Sequence, residues 1–132
     1  MNRAVIGVGS NIDPERNIAR ACKTLAQRHT VLAQSRIVET EPIGFLDQPK
    51  FLNTTLLLET DQRRDGLREE LRDIERRQGR VRTANKYGQR TIDLDIVVWN
   101  GQVVDNEVHE RDFLRAGVRE VWPELDLYTG RG

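Results

Sequence analysis

The sequence predicts an α+β fold, a single antiparallel sheet with its helices packed on one face, and three features carry that prediction. Short runs of β-branched and apolar residues alternate with two long charged segments whose apolar residues recur at helical spacing. An Asn-Gly pair at Asn100 and Gly101, between apolar runs, marks a hairpin. The 132 residues, with no repeat, linker or low-complexity tract, fit one domain, 1–132.

Each element has its own justification. Residues 3–11, RAVIGVGSN, are a short β-rich run ending in Gly9, Ser10 and Asn11, a strand followed by a turn. A first helix follows: Asp13 suits an N-cap, Pro14 the first helical position, and Ile18, Ala21, Cys22 and Leu25 form one apolar stripe. Residues 30–42 read as a strand up to Pro42, and 50–60, KFLNTTLLLET, as another. The loop between them carries Gly44 and Pro49 beside apolar Ile43, Phe45 and Leu46, which implies local packing or a lid over a ligand. Leu67, Leu71 and Ile74 give a second amphipathic helix that ends near Gly79, with Gly66 weakening its first turn. TIDLDIVVW, 91–99, is a strand that turns at Asn100-Gly101 into a short return strand, and 110–121 is a last short helix. The order is β-α-β-β-α-β with a C-terminal appendage, the ferredoxin-like pattern.

Composition excludes several classes of function. Lys plus Arg and Asp plus Glu both number 21, so zero net charge gives no general pull toward nucleic acid or membrane. An RNA-binding domain of this topology needs a surface of stacked aromatics, and only 5% of the residues are aromatic. No segment approaches the ~20 apolar residues of a membrane span, and the N-terminus lacks a signal-peptide pattern. The single Cys22 rules out an internal disulfide and reads as a small apolar residue on a helix face. The expectation is a cytoplasmic monomer with no nucleic-acid or membrane partner.

The chemistry concentrates in TIDLDIVVW. Side chains alternate on a strand, so Asp93 and Asp95 share one face while Ile92, Leu94 and Ile96 share the other. A solvated face of an antiparallel strand would also accept two acids. The neighbourhood favours chemistry: Arg80, Arg82, Lys86 and Arg90 precede the pair closely. Adjacent carboxylates repel and call for a cation, Mg2+ takes one or two carboxylates plus phosphate oxygens, and arginine forks suit those phosphates. The combination suggests phosphoryl or pyrophosphoryl transfer.

With these residues in view, GSN after the first strand, EPIGFLDQPKFLN in the middle, and QGRVR and YGQRTIDLDI together resemble the 6-hydroxymethyl-7,8-dihydropterin pyrophosphokinase family, in order from Gly9 to Phe113. The resemblance implies a ferredoxin-like α+β fold and Mg-dependent transfer of pyrophosphate from ATP to the hydroxymethyl group of 6-hydroxymethyl-7,8-dihydropterin, releasing AMP, in folate biosynthesis. It implies that Asp93 and Asp95 hold two Mg2+ ions and that Arg80, Arg82 and Arg90 engage the triphosphate, with Arg80, Arg90, Asp93 and Asp95 as the catalytic set. Glu75, Ile96 and Arg111 fall at further ATP-contacting positions. For the pterin it implies Thr40, Pro42 and Ile43 at the start of a lining loop, Phe51 and Asn53 on one strand face, and Phe113 as the second aromatic. Core packing would also explain Phe51, but a buried Asn53 beside it needs a hydrogen-bond partner.

The chain departs from the family after the DLD strand. The connection to HERDF is shorter, without the His-containing segment that contacts ATP, and His109 takes no nucleotide role in this reading. Arg72 replaces a nucleotide-facing Gln, and Tyr87 a usual Trp. Two functions therefore stand at this point: an active pyrophosphokinase, and a non-catalytic pterin- or nucleotide-binding relative with a degenerate ATP site.

Overall fold

The computed structural model describes residues 1–42, 47–80 and 90–128. Its elements in chain order are β1 (Asn2–Ser10), α1 (Pro14–Arg28), β2 (Thr30–Gln34), β3 (Val38–Thr40), β4 (Phe51–Thr60), α2 (Arg64–Arg77), β5 (Asp93–Trp99), β6 (Gln102–Val103), α3 (Glu107–Glu110) and α4 (Asp112–Val121). The strands make one antiparallel sheet in the order β2-β4-β1-β5-β6, with β3 beside β4. This is the expected α+β arrangement: β1 and β4 are central, and β5 closes the repeat on the far side of β1.

Two cores divide the sheet. On one face Ala4, Ile6 and Val8 of β1, Leu56 and Leu58 of β4 and Leu94 of β5 pack against Ile18, Ala21 and Leu25 of α1 and Leu67, Leu71 and Ile74 of α2. The two helices of the repeat thus share one face, as the apolar stripes predict. The C-terminal appendage does something further. Its helix α4 brings Leu114, Val118 and Val121 onto the opposite face, against Val5, Leu57, Val97 and Val98. Val97 and Val98 both reach this second core because the ladder slips one residue between Val5 and Ile6, a bulge that turns two successive side chains the same way.

Two local expectations need correction. The strand predicted over 30–42 is two pieces, because Ser35 substitutes a side-chain bond for a ladder bond: the Thr55 amide donates to its Oγ at 2.8 Å, while the Ser35 amide donates to the Thr55 carbonyl at 2.9 Å. Asp13 occupies the N-cap position of α1 but makes no capping bond, since its left-handed backbone (φ 41°) turns the carboxylate away from the first amides. Helix α2 starts at Arg64, which puts Gly66 in its first turn as the sequence suggests.

The end of α2 and the hairpin follow their sequence signals. Gly79 adopts φ 91°; its amide donates to the Arg76 carbonyl and the Arg80 amide to the Glu75 carbonyl, both at 3.0 Å. This is a Schellman ending, and it folds Arg80 back beside Glu75. Asn100 (φ 50°) and Gly101 (φ 86°) form the left-handed pair that a tight hairpin requires.

Candidate active site

Helix α4 covers only part of the second sheet face. The remainder is the floor of a cavity of about 510 Å³. Its centre is β1, where Gly7 pairs with Asp95 on one side and Thr55 on the other, and Gly9 pairs with Asp93 and Asn53. Two side-chain-free positions in the central strand therefore leave room between the β5 carboxylates and the β4 polar groups.

The walls fall into two halves. On the β3–β4 side stand Thr40, Phe51 and Asn53, with Phe113 at the start of α4. Asn53 Nδ2 donates to Thr40 Oγ1 at 2.7 Å, which fixes the carboxamide plane. The second half comprises Asp93, Asp95, Arg90 and Arg111, with Asp105 and Glu107 at its border. Arg111 pairs with Glu107 at 3.3 Å. An aromatic and amide half beside a carboxylate and guanidinium half suits a flat heterocycle adjoining a polyphosphate.

The two acids differ electrostatically. Burial works against the charge of Asp93, but Arg90 Nη1 at 2.9 Å and Arg80 Nη1 at 2.6 Å hold its carboxyl below the usual range. Burial and the neighbouring Asp93 charge push Asp95 up to about 7, against the pull of Arg72 Nη2 at 3.5 Å. Arg80 is raised: burial opposes its charge, and Asp93 and Glu75 more than offset that. A carboxylate that ionises reluctantly beside an ionised one is a pair whose ionisation a bound cation would favour. Among the described residues no third His, Cys, Asp or Glu completes a protein-only metal cage. The pair therefore fits a hard cation that takes its other ligands from phosphate and water, as Mg2+ does.

Ser10 and Asn11 lock the surrounding segments. Asn11 accepts the Arg90 amide on Oδ1 at 2.8 Å, and its Nδ2 donates to Gln48 Oε1 at 2.9 Å and the Pro49 carbonyl at 3.1 Å. Ser10 Oγ donates to the Thr91 carbonyl at 2.6 Å. One turn thus ties the entry to β4 to the entry to β5.

The cavity brings together Thr40, Phe51, Asn53, Arg90, Asp93, Asp95, Arg111 and Phe113 of the residues expected from sequence. It does not collect them all. Glu75 is 1% exposed and lies behind β5, Arg80 is half-buried along the β5 edge, Ile96 packs against the first core, and Pro42 is buried beside the lining. Ile43, Arg82, Lys86 and Tyr87 lie outside the described residues. His109 is exposed and stacks on Tyr128 with ring centroids 6.0 Å apart, away from the cavity. The floor of Gly7 and Gly9 was not anticipated, although alternate glycines in a β-rich run are a signal of close approach. Nor was the grip of Arg72 on Asp95, although the resemblance puts Arg72 at a nucleotide-facing position.

Comparison with known proteins identifies the family. The family model described as 7,8-dihydro-6-hydroxymethylpterin-pyrophosphokinase matches residues 5–123. A 2-amino-4-hydroxy-6-hydroxymethyldihydropteridine pyrophosphokinase of Haemophilus influenzae is 32% identical, over 96% of this chain and 86% of the relative. Proteins of the same name from Bacillus subtilis and Methylorubrum extorquens are 33% and 36% identical, each over 95% of this chain and over 81% and 85% of their own lengths. A family match across nearly the whole chain, with relatives aligned over most of their own lengths, establishes that the chain belongs to the 7,8-dihydro-6-hydroxymethylpterin-pyrophosphokinase family.

Proposed function

We propose that the cavity carries out Mg-dependent transfer of pyrophosphate from ATP to the hydroxymethyl group of 6-hydroxymethyl-7,8-dihydropterin, a step of folate biosynthesis. The observation that carries this reading is the meeting of both halves on one glycine floor. Phe51 and Phe113 offer faces for the pterin ring, and Asn53, steadied by Thr40, offers its edge a carboxamide. Arg90 and Arg111 border the space beside them, where the triphosphate lies in this reading, with Arg82 as a further phosphate ligand.

The reaction joins the pterin hydroxymethyl oxygen to the β-phosphorus and breaks the bond from that phosphorus to the α–β bridging oxygen. AMP leaves, and the hydroxyl proton is lost. Asp93 and Asp95 would hold Mg2+, two ions in this reading, whose chemistry is to neutralise the phosphates and polarise the transferring group. What the chain itself supplies is orientation: it fixes the acceptor beside the phosphates and keeps cationic arginines around the charge that moves. No described helix is long and apolar enough to cross a membrane. The reading is of a cytoplasmic monomer, each chain holding a whole site.

The test is AMP formation from ATP and the pterin with Mg2+. Wild-type protein should produce AMP, and Asp95→Ala should lose about 10³-fold in rate, the scale of several kcal/mol of charge stabilisation. Wild-type protein that binds pterin yet forms no AMP would overturn the kinase reading in favour of a non-catalytic binding relative.

A further inference from the structure

We propose that Glu75 is a positioning residue, the buried anchor of a side-chain clamp with Arg72 and Arg80 that replaces a neighbouring strand on the outer edge of β5 and presets Asp93 and Asp95. The role assigned to the two carboxylates rests on the function proposed above; the clamp itself does not.

Among the described residues the outer edge of β5 is paired with a strand over only part of its length. β5 is bonded to β1 along one side, but β6 covers only Val98 and Trp99 on the other. Leu94 is 0% exposed, so its outward amide and carbonyl cannot turn to water and need partners. Side chains supply them. The Leu94 amide donates to Glu75 Oε2 at 2.8 Å, Arg72 Nη1 donates to the Leu94 carbonyl at 3.0 Å, and Arg80 Nη1 donates to the Ile92 carbonyl at 3.1 Å. An edge that would otherwise be open is closed by helix side chains instead of a strand.

Glu75 makes the clamp one unit. A buried carboxylate persists when it is paired, and Glu75 receives Arg72 on Oε1 at 3.1 Å and Arg80 on Oε2 at 2.7 Å. Arg72 stands one turn before Glu75 on α2, and the Schellman ending at Gly79 returns Arg80 to the same point. The same two guanidinium groups continue around the edge to the cavity side, Arg80 to Asp93 and Arg72 to Asp95. Arg72 and Arg80 therefore each bridge Glu75 to one of the two β5 carboxylates, while Arg90 pairs with Asp93 from the other side. Glu75 does not line the cavity, so it acts on the site through the arginines.

A direct nucleotide contact by Glu75 and a positioning role differ in what happens without ligand. Glu75→Gln keeps the shape but presents an amide that can no longer hold two guanidinium groups. In ligand-free protein the Leu94 amide should then exchange its hydrogen at least about tenfold faster, while amides of the β1–β4 ladder keep their protection. Binding of Mn2+ with a non-hydrolysable ATP analogue, followed by Mn2+ paramagnetic resonance, should weaken about tenfold, and the KM for pterin should stay unchanged. Arg72→Gln, at a partly exposed position, should produce the same two changes and decides the matter if Glu75→Gln does not fold. Unchanged exchange at Leu94 overturns the clamp. Faster exchange with unchanged Mn2+ binding overturns the link to the carboxylates. Should wild-type protein bind no Mn2+ with the analogue, the metal reading falls while Leu94 exchange still decides the clamp.

Discussion

Gly9 shows how a single missing side chain shapes the site. A Cβ at this position would lie 2.8 Å from Asn53 Oδ1, closer than such atoms approach. Gly9→Ala should therefore push the Asn53 carboxamide off Thr40 and weaken pterin binding by about tenfold, the scale of one lost hydrogen bond to a buried group. Direct titration of pterin in the absence of nucleotide checks this, and thermal denaturation shows whether the fold is retained. The contrast with Asp93 and Asp95 explains what was legible at this scale. Charged residues alternating with Ile92, Leu94 and Ile96 announce a two-faced strand from local pattern alone. A glycine announces only that something comes close. That the neighbour is Asn53, in a strand far along the chain, follows from the β1–β4 register. Glu75 gives the opposite lesson: a Glu on a charged helix looks solvated, and its burial depends on an edge of β5 that local sequence does not reveal.

At the scale of elements, helix propensity and packing disagree at Gly117 of α4. Alanine in a helix interior normally gains about 1 kcal/mol over glycine. Here a Cβ would meet Thr55 Cγ2 and Oγ1, both at 2.9 Å, and Ser35 Oγ at 3.5 Å. Thr55 is β-branched and held in a central strand, so it cannot swing aside cheaply, and overpacking costs about 1–3 kcal/mol. Packing should win. Gly117→Ala is expected to lose about 1 kcal/mol in urea denaturation and to lift α4 from the sheet, loosening the cavity wall that carries Phe113. Helix α4 was readable from sequence as a short helix, but that does not say which sheet face it seeks. That choice was open because α1 and α2 already fill one face and the other offers Val5, Leu57, Val97 and Val98. The break at Ser35 was hidden for a related reason: β propensity runs smoothly through 30–40, and the bond that interrupts it comes from Thr55.

For the molecule as a whole, the two acids set opposite dependences on pH in separate windows. The Asp95 carboxyl, pushed up to about 7 in the fold by burial and by Asp93, returns to about 3.9 when unfolded. Between those values the folded chain holds a proton that the unfolded chain has released, so metal-free stability falls as pH rises from about 4 to about 7 and is level above. Asp93, held below the usual range despite its burial by Arg90 and Arg80, works the other way: its contribution is present above about 3.9 and is lost as pH falls through its lower folded value. With 39% of the Asp95 side chain exposed, solvent limits its share to the order of 1 kcal/mol. Thermal denaturation of metal-free protein at pH 5 and pH 8 should show this loss, and Asp95→Asn should flatten it. Because a metal ligand must be ionised, binding of Mg2+ with nucleotide should tighten as pH rises toward 7 and change little beyond it. A stability slope that survives in Asp95→Asn would assign the dependence to other groups, and metal binding that is flat from pH 5 to pH 8 would separate Asp95 from the cation. The combination expected instead, falling stability with rising metal affinity over the same interval, is the signature of a carboxylate whose charge the fold tolerates only when a cation completes it.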